Sequence, residues 1–267
     1  MPTSTAIRIL SASVAMRRSY PLTLVAAEWS ASINGILGGM FDHVAIAVAD
    51  LAASERFYRT VLSVLGVEPS HADAELVEWE DWDIGAADRE HPVARGLHVG
   101  FRAPSREAVD AFWGTGIDAG YRDGGGPGPR TIYGPDYYGG FLLDPDGNSV
   151  EAVHTKREDP VPDGRIDHLW IRVRDLAASR QFYMTIAPHA GLRIGVDEPD
   201  RVQMVGENFS FSLIDEERPL TEHVHIAFSV SGRSSSTSEK LKFSPTIWTR
   251  SGLSTPIRSP ACGAIVR

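Results

Sequence analysis

From residue 41 the chain alternates, with Val44, Ile46 and Val48 apolar and His43, Ala45 and Ala47 polar or small between them. A period of two predicts a strand with one buried face. Asp50 then stands where a carboxylate can accept the free N–H groups of a first helical turn. Leu51, Ser54, Tyr58, Val61, Leu62 and Leu65 follow at helical spacing, and Gly66 is placed to end the helix. Two short strands are expected next, around Val67 and over 76–84.

Residues 97–153 repeat this order in weaker form. A strand, LHVGFRA, precedes a helix, SREAVDAFWGTGIDAG, then a Gly/Pro-rich stretch and strands around Tyr133 and over 141–153. The run Asp144-Pro-Asp-Gly-Asn148 is a turn signal between the last two extended pieces. The unit is β-α-β-β-β, used twice in 40–155, which gives an α+β class.

The same pattern returns once more. At a constant offset of 125, FDHVAIAVADLAASERFYRTVLSVLG (41–66) lies on IDHLWIRVRDLAASRQFYMTIAPHAG (166–191), with 13 of 26 positions identical, His43 on His168 among them. LHVGF (97–101) matches VHIAF (224–228) at offset 127. The chain therefore reads as a tandem duplication: a first domain over 40–155, a linker DPVPDG, and a partial second domain over 165–230. Residues 231–267 hold nine serines, one glutamate and no aspartate, with neither helical nor strand period. They read as an unstructured tail or as the product of a shifted reading frame, which would leave the second domain truncated. Its first strand and helix would then pair with a second copy, as a homodimer, or stay an apolar face prone to association. Residues 1–39 form a leader outside any domain, reading either as a transit peptide or as a start codon placed too early before Met40.

Charge sharpens these boundaries. The net charge is -9 overall, +2 in 1–39 and +5 in 231–267, which leaves -16 on 40–230. An acidic body argues against nucleic acid as a partner, and no apolar run approaches the roughly 18 residues of a membrane span. A cytoplasmic protein acting on a small molecule fits both. The lone Cys262 excludes an internal disulfide and a thiolate zinc site.

Histidine and carboxylate remain as ligands. His43 opens the first strand of one unit, His98 lies on the first strand of the next, and Glu151 lies on that unit's last strand. On the faces of the two histidines stand only Ala45, Ala47 and Gly100, as the wall of an open cavity would require. Either histidine alone reads better as a hydrogen-bonded strand side chain; their equivalent positions in a repeat point to a ligand set. Two imidazoles and a carboxylate leave open positions on one divalent cation, Fe, Mn, Ni or Zn, held for chemistry. Tyr133, Tyr138 and Phe141, before the last strand, are candidates for the substrate cavity or for its packing. In the second copy Trp170 and Arg172 replace Ala45 and Ala47 and would partly fill the equivalent cavity.

HVAIAVADLAASERFYRTVL, GLHVGF and FLLDPDGNSVEAV resemble the vicinal-oxygen-chelate superfamily, which includes glyoxalase I, extradiol dioxygenases and bleomycin-resistance proteins. The resemblance implies paired β-α-β-β-β modules curling into a cup of mixed sheet, with metal ligands on first and last strands. His43, His98 and Glu151 match the two-histidine, one-glutamate set of the extradiol enzymes. Ten residues before Glu151, where those enzymes carry a tyrosine, this sequence has Phe141. Glyoxalase I adds a ligand on the last strand of the first module, where Glu78, Glu80 and Asp83 all stand close. The expected function is a metal-dependent lyase, isomerase or dioxygenase binding a small organic substrate through two adjacent oxygens. The alternative is a metal-free, bleomycin-resistance-like binding protein whose acidic cup takes a cationic ligand. A third option is that truncation leaves the chain inactive.

Overall fold

The computed structural model describes residues 41–156, 162–206 and 209–228. The leader, the first half of the linker and the tail after residue 228 lie outside them. The expected first unit forms in order: strand β1 (Phe41–Val48), helix α1 (Leu51–Leu62), and strands β2 (His71–Ala72), β3 (Leu76–Glu78) and β4 (Trp82–Ala86). Asp50 caps α1, its side chain accepting from the Ala53 N–H at 2.9 Å. Gly66 ends the following turn at φ 79°, a left-handed conformation that suits glycine. The strand expected over 76–84 is broken, because Trp79 N–H bonds Trp82 C=O at 2.9 Å and turns the chain back on itself. Val67 lies outside any strand; its N–H bonds the Leu62 carbonyl at the helix end.

The second unit comprises β5 (His98–Arg102), α2 (Arg106–Asp118), β6 (Arg122–Pro129), β7 (Tyr138–Leu143) and β8 (Ser149–His154). Its Gly/Pro-rich stretch is itself a strand, β6, whereas Tyr133 sits in a turn. Strand β6 lies at the end of its sheet and pairs only with β7, a position that tolerates proline. The second copy supplies β9 (Ile166–Arg172), α3 (Leu176–Ala190), β10 (Arg193–Asp197), β11 (Arg201–Val205), β12 (Ser210–Ile214) and β13 (Val224–Phe228).

Sheet pairing departs from the chain order of the repeats. One sheet runs β13-β1-β4-β3-β2 and the other β10-β11-β12-β9-β5-β8-β7-β6. The second unit thus joins the second copy through an antiparallel β5–β9 pair, and the first unit joins β13 through β1. Both junctions have the same register. Gly100 faces His168 and His98 faces Trp170 in one, while Ala45 faces His225 and His43 faces Ala227 in the other. Each junction also carries a register shift beside its Asp-His pair, at Asp167 and at Asp42.

Between the sheets and helices lies a core that includes Phe57, Tyr58, Leu62, Trp82, Phe101 and Phe112, all buried. It is tied by two buried carboxylates. Asp144 accepts from Tyr58 OH at 3.1 Å and from both the Asn148 backbone and side-chain N–H, while Asn148 Oδ1 accepts from Leu97 N–H. The β7–β8 turn is thereby fixed against the start of β5, which sets Glu151 beside His98. Asp81 accepts from Arg165 Nε at 3.0 Å and Ile166 N–H at 3.1 Å, fixing the entry to β9. Burial raises both carboxyls above the ordinary range, against the hydrogen bonds that lower them.

Candidate metal centre

Side-chain parity places His98 on β5 and Glu151 on β8 on one face of the eight-stranded sheet, where Gly100 pairs with Glu151. Through the β5–β9 junction the same face receives His168. His98 Nε2 and His168 Nε2 stand 3.0 Å apart, and Glu151 Oε2 lies 3.1 Å from the first and 3.3 Å from the second. With metal–ligand bonds of about 2.1 Å, neighbouring ligand atoms sit about 3.0 Å apart in an octahedron and about 3.4 Å in a tetrahedron. The three separations fall within that range, so the donor set fits one divalent cation.

The surroundings fit too. The Glu151 side chain is 1% exposed, and those of His98 and His168 are 12% and 9% exposed. Each ligand is oriented from behind: His98 Nδ1 by Ser149 Oγ at 2.9 Å, His168 Nδ1 by Asp167 Oδ2 at 2.9 Å, and Glu151 Oε1 by the Tyr137 hydroxyl, which donates at 3.0 Å. Two glycines leave the necessary space. A Cβ on Gly100 would run into the His168 ring, and one on Gly139 into Glu151 Oε1. Without a cation the cluster holds itself together by charge. Burial disfavours the charged form of each member. For Glu151 the hydrogen bonds from His168 and His98 overcome this and lower its pKa to about 2. For His168 the bonds to Asp167 and Glu151 raise it to about 10, while burial prevails at His98 and lowers it.

Of the three ligands expected from sequence, the structure brings His98 and Glu151 together and leaves His43 elsewhere. His43 belongs to β1, whose neighbours are β13 and β4 rather than β5, so it sits in the other sheet. There it bonds Asp42 at 2.9 Å and stacks on His225, ring centroids 5.1 Å apart. Among the described residues the only gathering of three metal-type ligands is His98, Glu151 and His168. The carboxylates weighed as a fourth ligand are on the first-unit sheet or beside it: Glu78 on β3, Asp83 on β4, and Glu80 paired with Arg165 at 2.9 Å. The signal for His168 was present in the repeat, because it aligns with His43 inside the same Asp-His dipeptide.

A cavity of about 760 Å³ opens onto the cluster. Tyr133 and Phe141 line it, joined by Tyr137 and Trp170. Tyr138 does not: its hydroxyl donates to Asp110 at 2.8 Å and Arg106 lies over its ring, because residue 138 alternates to the side facing α2. Trp170 and Arg172, expected to fill a separate second cavity, are walls of this one. Its rim also carries Arg201 and Arg218, with Glu216 between Arg172 and Arg218, so the rim is not the acidic cup expected from composition.

Residues 40–152 match the family model of the Glyoxalase/Bleomycin resistance protein/Dioxygenase superfamily. A glyoxalase/bleomycin resistance protein from Albidiferax ferrireducens T118 is 33% identical over 44% of this chain and 99% of its own, with a TM-score of 0.39. Glyoxalase I from Zea mays is 16% identical over 71% of this chain and 74% of its own, with a TM-score of 0.50, a likeness of fold. No curated protein matches the chain. Among the described residues no helix is long and apolar enough to cross a membrane. With the repeated β-α-β-β-β order, the mixed sheets and the family model in agreement, the chain belongs to the Glyoxalase/Bleomycin resistance protein/Dioxygenase superfamily.

Proposed function

We propose that the protein is a metal-dependent enzyme in which His98, Glu151 and His168 hold one divalent cation, Fe, Mn, Ni or Zn, and that a small organic substrate enters the cavity above them. The observation that carries this reading is the set of 3.0, 3.1 and 3.3 Å separations among the three ligand atoms. When bound, the cation supplies Lewis-acid polarisation of two adjacent substrate oxygens at its open positions. The chain's own residues do the rest. Tyr137 fixes one oxygen of Glu151 and leaves the other for the cation. Tyr133, Phe141 and Trp170 exclude water and offer flat surfaces, while Gln203 and Ser212 present polar groups from the wall built by β11 and β12. The reaction is a lyase, isomerase or dioxygenase step on that substrate.

A cytoplasmic location and a domain division at the 159–164 linker belong to the same proposal, in which the catalytic cup is shared between the two domains. The buried His168–Glu151 pair also supports a second reading, a metal-free binding protein, because the imidazolium already neutralises the carboxylate. Metal content separates the two. The full chain, purified without a metal-affinity tag and reconstituted with each candidate metal, is measured by plasma mass spectrometry beside Glu151→Ala and His168→Ala. About one ion per chain in wild type and loss in both variants is expected; a wild type that takes up no metal refutes the enzyme reading.

A further inference from the structure

The two histidines of the cluster are not equivalent. His98 Nδ1 meets the neutral hydroxyl of Ser149, whereas His168 Nδ1 meets the carboxylate of Asp167, both at 2.9 Å. In a regular strand Asp167 would point to the face opposite His168. It does not, because the β5–β9 register shifts there: Gly100 pairs with His168 and Phe101 with Ile166, which leaves Asp167 as the additional residue of a bulge. A bulge is a device for re-aiming one side chain, and here the side chain re-aimed is the one that grips the histidine.

Asp167 is itself constrained. It is 8% exposed, and its Oδ1 lies 3.8 Å from Nε of Arg102, a guanidinium that is 6% exposed. The buried carboxylate is thereby placed between a buried guanidinium and an imidazole nitrogen.

Resting on the metal reading above, we infer that Asp167 is a positioning residue: it holds the Nδ1–H tautomer of His168, aims the Nε2 lone pair at the cation, and makes His168 the stronger donor of the two histidines. Carboxylate–histidine–metal arrays act this way because the carboxylate fixes ring orientation and raises ligand basicity. Ser149 orients His98 without adding charge. Asp42 sits at the equivalent bulge beside His43, 2.9 Å from its Nδ1, so both junctions carry the same Asp-His contact.

The test is zinc affinity of the full chain by chelator competition, for wild type, Asp167→Asn, Asp167→Glu and Ser149→Ala. Nitrogen-15 spectra of the zinc-loaded proteins, which report which ring nitrogen of each histidine carries the proton, accompany it. Asp167→Asn is expected to weaken zinc binding by about 10- to 100-fold and to shift the His168 ring signals alone. Asp167→Glu is expected to recover most of the affinity, and Ser149→Ala to lose less than Asp167→Asn. A folded Asp167→Asn that binds zinc within about two-fold of wild type, or unchanged His168 signals, overturns the inference and leaves the metal site standing. A wild type that binds no cation overturns the metal reading and this inference with it.

Discussion

Replacing His168 with alanine discriminates between a cluster built across the repeat and one confined to the first 155 residues. In the metal-free protein at pH 7 His168 is charged, its pKa raised to about 10, and it lies 3.3 Å from the buried Glu151 carboxylate. Removing it leaves Glu151 with the Tyr137 hydroxyl and with His98, whose burial disfavours charge. Breaking a buried pair by deleting one partner costs about 3–5 kcal/mol. At about 2–4 °C per kcal/mol for a chain of this size, the melting midpoint should fall by roughly 6–20 °C. Protonation of Glu151 relieves part of the strain and places the drop toward the lower end. His43→Ala removes a partly exposed contact with Asp42, worth about 0.2–1 kcal/mol, and should melt within a few degrees of wild type. The assay is thermal unfolding with EDTA present, paired with metal stoichiometry after reconstitution. Equal midpoints for the two variants, or metal lost from His43→Ala and kept by His168→Ala, would refute the reasoning.

Three further outcomes follow from the same contacts. Stability of the metal-free protein should vary with pH in a defined way. The raised His168 contributes stability that is fully present below its ordinary value of 6.5 and is lost as pH rises through about 10. The lowered Glu151 contributes stability present above 4.5 and lost as pH falls through about 2. Denaturant titrations should therefore peak between those ordinary values, and an alkaline limb unchanged in His168→Ala would contradict the assignment. Gly100→Ala puts a methyl group into the His168 ring and should reduce zinc affinity at least about ten-fold by displacing a ligand, read by chelator competition; undiminished affinity would show that the ring has room. Tyr58→Phe removes a hydrogen bond to buried Asp144 and should cost about 1.5–3 kcal/mol in denaturant unfolding, with metal stoichiometry unchanged.

Much of the architecture was legible in the chain itself. Alternation, the Asp50 cap and the Gly66 terminus marked the first strand and helix, because these signals act within one turn or one strand of the residues that carry them. The candidate residue types were legible for a similar reason, since parity put small residues beside His98 on its strand, although the same parity also selected His43, which lies in the other sheet. The Gly/Pro-rich stretch misled because local composition does not reveal that a strand will lie at a sheet's end, where missing N–H groups go unneeded. Tyr138 misled because a shift of one residue moves a side chain to the other face, and Tyr137 lines the cavity in its place.

By itself the sequence determined the repeating unit and the family, and it singled out two of the three side chains that the structure clusters, His98 and Glu151. Only the tertiary structure decided which units share a cup. Alternation specifies the face of a strand but not its neighbour, and β5 could meet β1 or β9 with the same buried pattern. Pairing with β9 substituted His168 for His43 and brought Asp167, by a one-residue bulge, behind the new ligand. That choice rests on long-range contacts, among them Asp81 holding Arg165 and Ile166 at the entry to β9, which no local window of the sequence contains.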